Sequence, residues 1–290
     1  MRFLSFLAVL LLAFAGPAWA QQSAQARLRI VASFSILGDF VGEVGGESIE
    51  LKTLVGPDTD THTYQPTPAD VRALASAKVL VSNGLGFEGW IDRLAETSEF
   101  GGTRIVASQG AAIEEHDPHC WQDVACARRY VANIAGGLAQ ADPAYADFYR
   151  ARAKAYDGQL ATLDSWIRGE IAKVPDERRR AITGHNSFHY FARAYGVRFE
   201  APRGYTTDSE PSARDMAALI RQVREQKITA LFIENMTNPV LVREIAEDSG
   251  AVVGPRLYSD ALSKPGGPAA SYEAMMRYNV EALVAGMLRN

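Results

Sequence analysis

Short apolar runs alternate along the chain with longer stretches whose apolar residues recur every three or four positions. Residues 28–33 (LRIVAS) read as a buried strand, and 36–44 follow with helical spacing until Gly45 and Gly46 stop them. A second strand is predicted over 49–55. Thr67, Pro68, Ala69 and Asp70 then open a helix with a capping hydroxyl, a proline in the first turn and an acid near the positive end of the dipole. Shorter strands are predicted at 79–82 and 104–106. Strands alternating with helices predict parallel sheets with helices laid over them.

The pattern changes at Asp142 and Pro143. From there to residue 174 no further proline occurs, and Phe148, Ala151, Ala155, Leu160, Leu163, Ile167 and Ile171 recur at helical steps, interrupted only by Gly158 and Gly169. About thirty residues of helix reach on the order of 45 Å, the length of a whole domain. Apolar runs of strand or helix character then resume at 181–183, 188–195, 197–200, 216–225, 228–233, 240–249, 251–253 and 272–288. The expected fold is α/β, with two lobes, each a mainly parallel sheet covered by helices, joined by one long rigid helix. The lobes take residues 21–141 and 175–290 and the helix 142–174; a single larger α/β domain with this helix on its sheet is the alternative. No internal repeat or low-complexity tract interrupts the pattern.

The first twenty residues carry a different signal. Arg2 precedes an apolar run over 3–15, Gly16 and Pro17 break it, and Ala18-Trp19-Ala20 supplies a small-x-small cleavage pattern. This reads as a signal peptide, too short to cross a bilayer comfortably, with an N-terminal anchor as the alternative. No cysteine stands at the cleavage point to carry a lipid. The expected location is the periplasm. Of 290 residues 270 then remain, enough for two domains of ordinary size. The net charge of −4, more negative still once Arg2 is removed, argues against nucleic acid or an anionic membrane as partner. Cys120 and Cys126 are the only cysteines. In an exported protein they are expected to pair, with two free or metal-binding thiols as the alternative.

Candidate chemistry rests on histidine. Of the five, His62, His119 and His185 lie in turn-rich segments, His62 after the second strand and His185 directly after the strand at 181–183. Asp260 follows the last strand in the same way. Ligands of α/β sheets gather at strand ends. Three imidazoles and one carboxylate make a four-coordinate set suited to zinc and tolerable to manganese. The four are scattered, however, and spacing alone does not join them.

The wording around them does. The strings VASFSILGDFVGEVGG, LVGPDTDTHTYQPTPADVRAL, NGLGFEGW, DPHCW, GHNSFHYFARAYG, SEPSA, FIENMTNP, LYSDALS and GGPAASYEAMMRYN resemble the metal-binding (cluster A-I) solute-binding proteins of ABC transporters, in order and over nearly all of 28–289. The resemblance implies two lobes bridged by a long helix and one metal ion between them, held by His62, His119, His185 and Asp260. Histidine as the third ligand is typical of zinc-type members and glutamate of manganese and iron members. Zinc is therefore the expected ion, with a manganese-binding member as the alternative. An ABC permease at the inner membrane is the implied partner, with a metallochaperone as a further one left open, and the expected state is a monomer. In place of the histidine-rich loop of many zinc-type members stand only Glu114, Glu115 and His116. A Cys120–Cys126 bridge would brace the loop that presents His119. A long helix resists wide opening, so release is expected to loosen the loops of His62 and His119 while the second lobe holds Asp260.

Other signals are weaker. Gly84–Gly89 matches G-x-G-x-x-G but does not follow the first strand and lacks the ribose-binding acid, so it reads as a loop. His185 and His189 stand four apart without the adjacent glutamate of a metalloprotease pair. Glu210 is a possible fifth oxygen donor but reads more plainly as an acid at a helix start. A secreted zinc-dependent hydrolase is the competing function; it needs an open coordination position, and four protein ligands fill the tetrahedron.

Overall fold

The computed structural model describes residues 27–112 and 117–290. The predicted signal peptide and the Glu114, Glu115 and His116 segment lie outside them.

The first lobe winds β1 (Leu28–Phe34), α1 (Ser35–Gly45), β2 (Ile49–Val55), α2 (Pro68–Ser76), β3 (Val79–Ser82), α3 (Ile91–Thr97), β4 (Thr103–Val106) and α4 (Val124–Ala141). Its four strands are parallel in the order β2-β1-β3-β4. Central β1 is buried from Ile30 to Phe34, as its mostly apolar run requires between two layers of helix, and buried Ser33 donates to Glu88 Oε1. The strand order reverses between β1 and β3, and the crevice beyond their carboxyl ends is where open α/β sheets bind ligands. Helix α2 begins as its residues dictate. Asp70 N–H donates to Thr67 Oγ1, and the Asp70 carboxylate accepts from Thr67 N at 2.8 Å.

Helices α3 and α4 are absent from the elements predicted by sequence. Yet α4 buries Val124, Ala127, Tyr130, Val131, Ile134 and Leu138 at helical spacing. Helix α5 (Ala146–Ile171) runs 26 residues after a short turn at Pro143–Tyr145, somewhat less than the thirty expected. Its buried face is Tyr149, Ala153, Tyr156, Leu160, Leu163, Ile167 and Ile171. Phe148, Ala151 and Ala155, assigned to that face by sequence, are exposed instead. Tyr149 packs its ring on this inner face while its hydroxyl donates to Asp142 Oδ2 at 3.0 Å. In chain order α5 stands between the two sheets, and it packs on α1, α4 and the last helix, α9.

The second lobe comprises β5 (Arg180–Ile182), α6 (His189–Tyr195), β6 (Arg198–Glu200), α7 (Ala213–Glu225), α8 (Val240–Ser249) and α9 (Tyr272–Met287). Strands β5 and β6 pair in parallel. The runs at 228–233 and 251–253, read as strands, join the sheet only through single parallel bridges, Ile182 to Leu231 and Leu231 to Val253. The ladder breaks because the Leu231 N–H turns back to Thr229 O at 3.1 Å. A small core of Ile182, Leu219, Val223, Ile228, Leu231, Val242, Ile245 and Ala246 supports this end. The main core is continuous from the first sheet through α5 to α9. No helix of the described residues is long and apolar enough to cross a membrane.

Candidate metal centre

His62 sits in the turn after β2. Its N–H donates to Asp60 Oδ1 at 2.9 Å, the local bond that aspartate offers a tight turn. Trp90 Nε1 donates to Thr61 O at 2.9 Å, and Tyr64 Oη donates to Asp70 Oδ2 at 2.8 Å. The turn is thereby fastened to the starts of α2 and α3, and Phe87 lies edge-on to the His62 ring with centroids 4.7 Å apart.

His119 immediately precedes a single helical turn, Cys120–Gln122. Asp117 Oδ1 accepts from the His119 backbone N–H at 2.9 Å and lies 2.8 Å from its Nδ1. Cys120 and Cys126 are joined in a disulfide, Cα to Cα 5.7 Å, which ties this turn to the first helical turns of α4. His185 follows β5, and Glu234 cradles it. Glu234 Oε2 accepts from the N–H groups of Gly184 (2.7 Å) and His185 (3.1 Å), and its Oε1 accepts from Ser187 Oγ at 2.8 Å. The same Oε1 lies 2.7 Å from His185 Nδ1, a charge contact rather than an aligned hydrogen bond.

The three rings turn their remaining nitrogens to one carboxylate. Asp260 Oδ2 is 3.3 Å from His62 Nε2 and 3.1 Å from His185 Nε2, and Oδ1 is 3.6 Å from His119 Nε2. One donor atom from each of the four residues lies within 4.8 Å of the others, a spacing that a single ion can bridge. His119, His185 and Asp260 are fully buried, and the three Nε2 atoms and both Asp260 oxygens have no hydrogen-bond partner among the described residues. Five orphaned buried polar atoms facing a common point are costly unless something polar fills it.

Electrostatics agree with the geometry. Burial pushes the Asp260 carboxyl up, but His185 and His119 outweigh it and hold it well below the usual carboxylate range. Burial lowers the two imidazoles, yet Asp260 and Asp117 raise His119 overall, and Glu234 and Asp260 raise His185 well above its ordinary value. The negative potential that favours protons on these rings equally favours a divalent cation in their place.

Asp117 and Glu234 did not stand out in the sequence as functional residues. Each faces the far nitrogen of a histidine, the arrangement that fixes tautomer and ring orientation in metal sites. Their signal was faint but present: Asp117 stands two residues before His119, and Glu234 directly follows an apolar run, as His185 follows β5. The residues set aside stay apart. His189 is half-buried at the first position of α6 and outside the cluster. Glu210 pairs with Arg203 at 2.5 Å, and Ser212 with Asp215 caps α7. The Gly84–Gly89 loop offers no phosphate cradle, because Glu88 already accepts from Asn83 N at 2.7 Å and Gly84 N at 3.3 Å.

The family model of the zinc-uptake complex component A, periplasmic, matches residues 30–286. The chain is 33% identical over 265 residues to the manganese-binding lipoprotein MntA of Halalkalibacterium halodurans, covering 90% of this chain and 88% of that one. It is 33% identical over 276 residues to the zinc-binding protein TroA of Treponema pallidum, covering 90% and 89%. The solved structure of that periplasmic zinc-binding protein superposes with a TM-score of 0.85 at 30% identity, over 90% of this chain and 99% of that one. The manganese-bound periplasmic metal binding protein from Candidatus Liberibacter asiaticus superposes with a TM-score of 0.81 at 28% identity, over 90% and 100%.

Proposed function

This chain belongs to the family of the periplasmic component A of zinc-uptake complexes, metal-binding solute-binding proteins of ABC importers rather than enzymes, and we propose that its cargo is zinc. One ion is held by Nε2 of His62, His119 and His185 and by Asp260. The observation that carries this reading is the buried convergence of three imidazole nitrogens on one carboxylate. Such an N₃O set completes a tetrahedron, the preferred geometry of zinc, whereas manganese favours more oxygen donors. The nearest further carboxylates, Asp117 and Glu234, are turned to the far sides of His119 and His185. Relatives named for either metal keep manganese as the second reading.

In this proposal residues 1–20 direct export, 21–141 and 175–290 form the lobes, 142–174 joins them, and the loaded protein hands its ion to a permease from the periplasm. Protein purified from the exported compartment, with metal content read by native mass spectrometry, tests the identity of the ion. One zinc per chain is expected, displaced by Asp260→Ala. One manganese retained in the presence of equal zinc would overturn the choice of metal.

A further inference from the structure

The turn that presents His119 also grips the segment that presents Asp260. Trp121 Nε1 and Gln122 Nε2 both donate to the carbonyl oxygen of Ser259, each at 2.9 Å, from 138 and 137 residues away. All three residues are fully buried. The grip is reinforced from the other side, since Tyr272 Oη in α9 donates to Trp121 O at 2.7 Å. Beyond Asp260, Leu262 N donates to Ser35 Oγ at 2.9 Å and Leu262 O accepts from Asp58 N at 3.0 Å. Asp260 therefore sits in a segment bonded to the first lobe before and after it. The sequence had assigned it to the second lobe alone.

Gln122 is the unusual member of this grip. Its Nε2 is used, but its Oε1 is buried with no partner among the described residues. A buried amide with an orphaned acceptor destabilises the fold relative to an apolar side chain of the same length. Removing it leaves no orphan at the far end either, because the Ser259 carbonyl keeps its bond from Trp121. The amide of Gln122 is thus spent on the carbonyl directly before Asp260.

We propose that Gln122, together with Trp121, is the positioning residue of Asp260, fixing its carboxylate against the three imidazoles through the Ser259 carbonyl. His119 and Asp260, two ligands from opposite lobes, are thereby held as one unit. The inference rests on Asp260 being a metal ligand.

Gln122→Met, near in length and without the amide, tests it. The apo protein is expected to melt at the wild-type temperature or above it, a readout that a merely structural role would move downward. The zinc dissociation rate is expected to rise by up to about tenfold, the low end for lost outer-shell support because Trp121 still holds the Ser259 carbonyl, with the association rate unchanged. Cobalt(II) as a probe ion is expected to give a shifted d–d band, because the carboxylate no longer sits where it did. A wild-type off-rate and cobalt spectrum overturn the proposal, as does a lowered apo melting temperature with an unchanged off-rate. Asp260→Ala, measured in parallel, separates the two readings. If it leaves zinc affinity intact, the ligand assignment fails; if it abolishes binding while Gln122→Met is silent, only the positioning role fails. Should Gln122→Met not fold, Trp121→Phe removes the other donor to the same carbonyl, and an unchanged off-rate there is equally decisive.

Discussion

Glu234→Gln is the substitution that asks most of the site. The change keeps the shape of the side chain and removes its charge. The two backbone N–H groups of Gly184 and His185 need an acceptor at the Oε2 position, so the new amide oxygen belongs there. The amide nitrogen then falls at the Oε1 position, 2.7 Å from His185 Nδ1. Ser187 Oγ can reverse its bond and accept. His185 cannot do so freely: facing a donor, its Nδ1 must give up its proton, and the neutral ring then carries that proton on Nε2. An Nε2–H ring cannot coordinate. Loss of such an outer-shell carboxylate lowers metal affinity by about 10–100-fold, or about 1.4–2.7 kcal/mol. Exchanging charge-assisted for neutral bonds at Gly184, His185 and Ser187 removes about 1–3 kcal/mol of fold stability as well. Competition against a chromogenic zinc chelator gives the first quantity, and thermal unfolding of the metal-free protein gives the second. A folded Glu234→Gln protein binding zinc within about twofold of wild type would refute the tautomer argument.

Three further outcomes are expected. Zinc must displace protons from the imidazoles, so affinity rises with pH through and above the ordinary histidine value of 6.5, because Asp260 with Asp117 or Glu234 raises His119 and His185 against their burial; calorimetry in two buffers of different ionisation enthalpy should register protons released on binding, and none released would contradict this. Asp39, pushed up to about 6 by burial despite the Tyr272 N–H it accepts, holds its proton longer folded than unfolded. Its contribution is therefore lost as pH rises from 3.8 through about 6, some 2–3 kcal/mol in all, and Asp39→Asn should flatten the stability-against-pH curve there and raise the melting temperature at pH 7.5. Replacing Cys120 and Cys126 by serine removes a short loop worth about 2–3 kcal/mol and loosens the turn that carries His119, so zinc should dissociate faster from a protein that still folds; an unchanged dissociation rate would show that the turn is held without the bridge.

What the sequence determined by itself was whatever depends on neighbours along the chain. The Thr67–Asp70 capping box, the helical spacing of α8 and α9, and the parallel β1 and β2 follow from hydrogen bonds and periodicities a few residues long. Helix α4 was legible on the same grounds, from Val124 to Leu138, though it was not read. The metal ligands were a harder case. His62, His119, His185 and Asp260 are separated by 57 or more residues, so their periodicity carries nothing, and they were identified through resemblance to a family. Only the tertiary structure decided the rest. It chose Tyr149, Ala153 and Tyr156 rather than Phe148, Ala151 and Ala155 as the inner face of α5, because helical spacing leaves the face open and packing on α1, α4 and α9 fixes it. It matched Glu234 to a histidine 49 residues away and the Ser259 carbonyl to an indole 138 residues away. Buried donors and acceptors must find partners wherever the fold brings them, and separation along the chain does not say which they will be.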